Sequence, residues 1–221
     1  EGFSFLEGPR WHAGRFWFSD MWGFAVHNMT EAGVVERVAE VPGRPSGIAF
    51  LPDGRVIVVS MADRQLLVIG NNGSLSPYAD LSSLANGDTN DCVTDAAGNI
   101  YVGNFGYDLF NGAEPAPANL IRVSPDGSAS VVAENMNFPN GSVITPDGKT
   151  MIVAETFGHC LTAFDLSGDG ALSGRRVWAD MGERTPDGIC LDAEGAVWVS
   201  SFETGEFVRV SEGGAVSDVI A

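Results

Sequence analysis

The feature that most constrains this chain is an internal repeat. Turn motifs in which a glycine follows a small or acidic residue recur as HAG, PDG, AAG, PDG and AEG, ending at Gly14, Gly54, Gly98, Gly148 and Gly195. Successive glycines stand 40, 44, 50 and 47 residues apart. Each supplies the positive φ that a tight strand-to-strand turn demands. A near-continuous apolar segment follows every turn, at 15–18, 56–59, 100–102, 151–153 and 197–199. Continuous apolar runs imply strands buried on both faces, the environment of a sheet held between two others.

A third strand is predicted at 24–27, 66–69, 120–123, 161–164 and 207–210, and a fourth at 34–39, 75–79, 130–133, 176–179 and 216–221. Four strands per 40 to 50 residues is the period of a β-propeller blade. The GH and WD signatures of WD40 blades are absent. The expectation is an all-β propeller of four-stranded antiparallel blades, one domain over residues 1–221 with five repeats visible. Either these five close a ring, or a sixth blade of the parent protein lies outside this sequence. The stop at a blade boundary favours the second.

Register within the repeats locates a candidate site. Eight residues before Gly54, Gly98, Gly148 and Gly195 stand Ser46, Asn90, Asn140 and Asp187, and seven before Gly14, in the shorter first repeat, stands Glu7. The next residue is glycine in every case except Asp91. All five positions open the innermost strand of a blade, so they meet at one mouth of the central channel. Glu7, Asn90, Asn140 and Asp187 then form a ring of oxygen donors suited to a hard divalent cation, Ca²⁺ first, with Zn²⁺, Mn²⁺ or Mg²⁺ as alternatives. Crowded carboxylates are costly unless a cation lies between them.

A second register, six residues after each turn glycine, holds Asp20, Ser60, Asn104, Ala154 and Ser201. These end the second strand at the same mouth. Asn104 and Asp20, with Ser46 from the first register, are the expected substrate contacts. Segment 105–119, rich in Gly, Pro and Ala, lengthens the third repeat as a lid would.

Bulk properties narrow the partners. A net charge of −17, with Lys149 the only lysine, argues against nucleic acid, which needs clustered cations. No apolar run is long enough to span a membrane as a helix. Cys92, Cys160 and Cys190 show no CxxC spacing, and Cys92 and Cys190 lie in apolar strands as buried small residues. That pattern points to a reducing, cytoplasmic compartment. His12, His27 and His159 fall outside the ligand register and are read as structural.

The segment Leu6, Glu7, Gly8, Pro9, Arg10, Trp11, the pair Asn90 and Asp91, and the triplets Pro139, Asn140, Gly141 and Pro186, Asp187, Gly188 resemble the metal-site motifs of the SMP-30/gluconolactonase/luciferin-regenerating-enzyme-like family. Order and spacing are kept over essentially the whole chain. The resemblance implies a six-bladed propeller, often a lactone hydrolase, with Glu7, Asn90, Asn140 and Asp187 on the metal and Asp187 also the general base. Asp88 departs from the pattern, because several sugar lactonases of the family carry there an Arg that contacts substrate hydroxyls.

The expected activity is metal-dependent opening of a small lactone or ester by attack of water. The cation would polarise the carbonyl and a carboxylate accept the proton. There is no Gly-x-Ser-x-Gly elbow. The alternatives are a non-catalytic propeller scaffold with a structural calcium ion, and a phosphotriester hydrolase using the same residues.

Overall fold

The computed structural model describes residues 2–221. The first blade comprises β1 (Leu6–His12), β2 (Arg15–Asp20), β3 (Ala25–Thr30) and β4 (Val35–Glu40). The second comprises β5 (Pro45–Phe50), β6 (Val56–Ser60), β7 (Gln65–Ile69) and β8 (Leu75–Asp80). In the third are β9 (Thr89–Thr94), β10 (Ile100–Asn104), β11 (Ala118–Val123) and β12 (Ala129–Met136). The fourth holds β13 (Pro139–Ile144), β14 (Thr150–Glu155), β15 (Cys160–Leu166) and β16 (Leu172–Asp180). The fifth holds β17 (Pro186–Leu191), β18 (Val197–Ser201), β19 (Glu206–Val210) and β20 (Val216–Ile220).

Within each blade the strands pair antiparallel in chain order, so the β-propeller expected from the repeat is the observed fold. The five turn glycines all have φ between 70° and 88°. Among the described residues, helix is limited to two single 3-10 turns, Leu109–Asn111 and Thr156–Gly158. None is long and apolar enough to cross a membrane.

Four apolar cores hold the blades together, one for each pair of sequential neighbours. Their composition explains the continuous apolar runs. On β6, Val58 points into the core shared with the first blade, while Ile57 and Val59 point into the core shared with the third. On β14, Met151 and Val153 face the third blade, and Ile152 and Ala154 face the fifth. Alternation is therefore present, but both destinations are dry. Cys92 lies in one of these cores as expected. Cys190 does not. It stands on the open face of the fifth blade and is exposed, because its side chain alternates away from the core that takes its neighbours Ile189 and Leu191.

The first strands form the inner ring: β1 packs on β5, β5 on β9, β9 on β13 and β13 on β17. Among the described residues β17 and β1 are not joined in this way. The approach is close enough to explain the glycine that follows the register residue. A Cβ on Gly8 would fall 2.6 Å from the Ser46 carbonyl oxygen, and one on Gly47 would fall 2.6 Å from the Cys92 amide nitrogen. At Gly141 it would fall 2.5 Å from the Asp187 carbonyl oxygen and 2.6 Å from the Ile189 nitrogen. Only glycine lets neighbouring backbones lie this near.

We expect Gly141→Ala to lower the unfolding free energy by about 1–3 kcal/mol, the usual cost of overpacking. Gly168→Ala, in an open loop with nothing near its Cβ position, should stay within about 0.5 kcal/mol of the parent. Urea denaturation of the two variants checks this, and equal losses would contradict the close-approach account.

Candidate metal and substrate site

Glu7, Ser46, Asn90, Asn140 and Asp187 are each the second residue of a first strand. Four of them, Glu7, Asn90, Asn140 and Asp187, line one cavity of about 250 Å³ where the five first strands begin. The structure thus brings together the four residues that the register singles out as ligands. Ser46 occupies the fifth place but is buried behind the ring. Its hydroxyl donates to Asn90 Oδ1 at 3.3 Å, and its carbonyl oxygen accepts from Ser19 Oγ at 2.6 Å. It supports Asn90 and does not line the cavity.

Thr156 fixes the other side of the ring. Its hydroxyl donates to the Pro186 carbonyl at 2.8 Å and accepts from Asn140 Nδ2 at 3.2 Å. One side chain therefore ties Asn140 to the residue preceding Asp187. The Asn140 amide spends its nitrogen on this bond, which leaves its carbonyl oxygen for a cation. Behind the ring, Arg10 of β1 reaches Asp91 of β9 at 2.8 Å and the Cys92 carbonyl at 2.6 Å. That ion pair accounts for an aspartate in place of glycine after Asn90.

Electrostatics identify what the ring lacks on its own. Burial, then the Asp187 and Asp91 carboxylates, push the Glu7 carboxyl up to about 8. Burial, then Asp91, push Asp187 up to about 6, against an opposing hydrogen bond from Asn140. Each carboxylate is thus disfavoured in its charged form by desolvation and by like charge. Among the described residues no group of three or more His, Cys, Asp and Glu side chains gathers around a common point. Any centre here needs its two asparagines. Two carboxylates and two carboxamides suit an oxygen-preferring divalent cation, whose charge would relieve the repulsion. The residues fit such an ion.

The second register behaves differently from its expectation. The last residue of every second strand, namely Asp20, Ser60, Asn104, Glu155 and Ser201, is buried and turned into its blade. Asp20 accepts from the amides of Ser4, Phe5 and Gly23. Asn104 accepts from the amides of Gly106 and Gly87 and donates to the Asn119 carbonyl. Glu155 accepts from the Asn137 amide at 2.6 Å and pairs with Arg175 at 3.0 Å. Ser201 Oγ accepts from the Thr185 amide at 3.2 Å.

These bonds hold the segments that lead into first strands, so Asp20 and Asn104 position the ring and do not line the cavity. The cavity is lined one residue later, by Met21, Met61, Phe105, Thr156 and Phe202. A shift of one residue along a strand changes the face.

Other wall residues have a signal in the first register. Two positions before the ring residue, on the same side of the chain, stand Phe5, Arg44, Asp88, Phe138 and Thr185. Phe5 and Phe138 line the cavity. Arg44 and Asp88 form an ion pair with each other, and the Arg44 guanidinium lies 4.2 Å from the Phe110 ring centroid and 5.3 Å from that of Trp22. Segment 105–119 supplies Phe105, Leu109 and Phe110 to the wall. The histidines stand elsewhere: His12 stacks on Phe50, His27 on Phe18, and His159 Nδ1 bonds the Arg184 carbonyl.

Fold and site together define a β-propeller with an oxygen-donor ring inside an apolar cavity. The family profile described as SMP-30/Gluconolactonase/LRE-like region matches residues 5–221. The chain belongs to this family. It is 25% identical to the pentonolactonase of Haloferax volcanii over 225 residues, covering 94% of this chain and 70% of that protein. It is 29% identical to regucalcin of Danio rerio over 140 residues, 62% of this chain and 47% of the relative. Against the curated regucalcins it spans somewhat less than half of the relative's length. A solved gluconolactonase of Xanthomonas campestris superposes with a TM-score of 0.83 at 27% identity, covering 97% of this chain and 75% of that one.

The ring's electrostatics set a pH dependence. Carboxyls raised in the folded state favour folding while protonated, so their contribution is full below their unfolded values near 4 and is lost as pH rises toward 8. We expect chelator-treated protein to lose thermal stability across this window, and Glu7→Gln to flatten the loss. Unfolding scans from pH 4.5 to 8.5 check it; parallel profiles for parent and variant would contradict it.

Proposed function

We propose that this chain is a divalent-cation-dependent lactonase, with Glu7, Asn90, Asn140 and Asp187 as ligands and Asp187 as general base. The observation that carries the reading is the convergence of these four side chains, each from a different blade, on one cavity. The names of two relatives, a pentonolactonase and a gluconolactonase, support it. Calcium is the first choice, because every donor is an uncharged or carboxylate oxygen and none is sulfur or imidazole.

When bound, the cation supplies Lewis-acid polarisation of the lactone carbonyl and offsets the charge of the two carboxylates. The chain's own residues do the rest. Asp187 stands half-buried at the cavity wall, where its carboxylate accepts a proton from water as the water oxygen attacks the carbonyl carbon. The ring C–O bond then breaks, and the proton passes to the departing alkoxide to give a hydroxy acid. Thr156 holds Asn140 and the Asp187 strand in fixed relation, so that acceptor and ligands keep one geometry.

Asp187→Asn keeps an oxygen ligand and removes the proton acceptor. We expect kcat on the best lactone to fall by at least about 10²-fold, the usual scale of general base catalysis, with cation binding retained by calorimetry. Asn140→Ala should instead weaken cation affinity, and high Ca²⁺ should restore part of the activity. Normal turnover by Asp187→Asn would remove the base assignment. Tight cation binding by a parent that opens no lactone would favour a structural ion.

A further inference from the structure

Resting on the lactonase reading for its chemistry, we infer that the substrate has an aromatic or otherwise apolar body and is not a polyhydroxylated sugar lactone. Among the described residues, fifteen line the cavity, and five of them are polar. Four of those five are the ring residues. The fifth, Thr156, has its hydroxyl committed to Asn140 and Pro186. Among the described residues, nothing polar in this wall is left to meet sugar hydroxyls.

The groups that could have done so are engaged elsewhere. Asp20 and Asn104 turn into their blades and hold backbone amides. Arg44, whose guanidinium lies over the Trp22 and Phe110 rings of the wall, is paired with Asp88. A hydroxyl carried into this cavity would lose water and gain no partner, and each such group is penalised.

The remaining wall is ten apolar residues, seven of them aromatic. Phe105 stacks on Phe138 with centroids 4.4 Å apart, and Phe157 meets Phe138 edge-on at 4.9 Å. Phe110 adjoins Phe105 of the stack at 5.8 Å and meets Trp22 edge-on at 5.6 Å. These contacts make one continuous aromatic surface, from Trp22 to Phe157, in the wall that also carries the oxygen ring. Several rings remain open to solvent, with Trp22 at 43%, Phe157 at 44% and Phe202 at 64% exposure. A cluster of exposed rings around a polar centre marks a surface that buries an apolar ligand.

The test compares 3,4-dihydrocoumarin with glucono-1,5-lactone on the Ca²⁺-loaded chain, each rate taken relative to its uncatalysed hydrolysis. The expected result is a kcat/KM at least about 10²-fold higher for dihydrocoumarin, since several hydroxyls are rejected together. Phe157→Ser and Phe110→Ser, both at exposed positions, should raise KM for dihydrocoumarin and leave kcat nearly unchanged. A preference for gluconolactone, or an unchanged KM in both variants, overturns the inference.

If neither lactone is hydrolysed, the lactonase reading falls, and recognition is judged by calorimetric titration of the same two compounds. Selective binding of dihydrocoumarin, lost in Phe157→Ser, then upholds the apolar cavity. Equal binding or none overturns it.

Discussion

Everything at the site depends on how near the first strands of neighbouring blades lie. Gly8, Gly47 and Gly141 let one strand press its backbone on the next with no room for a Cβ. Because Glu7 and Asn140, which precede Gly8 and Gly141, line the cavity, the same contact that packs neighbouring first strands together also sets the spacing of the donors. A Glu, two Asn and an Asp far apart in sequence become neighbours through backbone packing, before any cation is considered. The third blade departs from this rule at Asp91 and substitutes an ion pair with Arg10 for the glycine contact. Its ring residue, Asn90, is steadied by Ser46 from the adjacent blade.

That rigidity has an electrostatic cost. Packed strands cannot open to hydrate these carboxyls, so burial first, and then Asp187 and Asp91 acting on Glu7 and Asp91 acting on Asp187, makes both hold protons more tightly. Asp91 adds to the repulsion even though Arg10 pairs with it. A flexible site would relax; a preorganised one remains under charge stress that a bound cation would relieve. Placing strain where a ligand relieves it is a general property of functional sites.

Much of this was legible in the sequence, and the exceptions have physical causes. Turn glycines fixed the repeat because positive φ leaves few alternatives to glycine. With the repeat in register, the ring residues followed from counting alone. The second-strand register failed by one residue: polar side chains at Asp20 and Asn104 looked like substrate contacts, yet a strand alternates faces and these point into the blade. Their partners, amides of segments entering the first strands, belong to irregular backbone that leaves no periodic signal. Cys190 is exposed, not buried, for a related reason: in the last of the described blades an apolar strand has one dry face and not two. Phe5 and Phe138 did carry a signal, two positions before Glu7 and Asn140. It was obscured because the same register holds Arg44 and Asp88 in the second and third blades, where the pair satisfies itself.

The two registers divide the labour of the cavity. First strands, locked by backbone contact, supply the oxygen donors, and little can change there without disturbing the ring. Residues just beyond the second strands, and the segment 105–119, supply most of the remaining wall, from Met21 and Met61 to Phe105, Phe110 and Phe202. These side chains sit on turns and loops whose backbone is held by neighbouring buried groups such as Asp20 and Asn104, not by their own side-chain bonds. A substitution there alters what the cavity accepts while the donor ring keeps its geometry. Under the proposed function, the donor ring and the wall that would meet a substrate therefore come from different parts of each blade, so that a propeller of this kind can vary the second without disturbing the first.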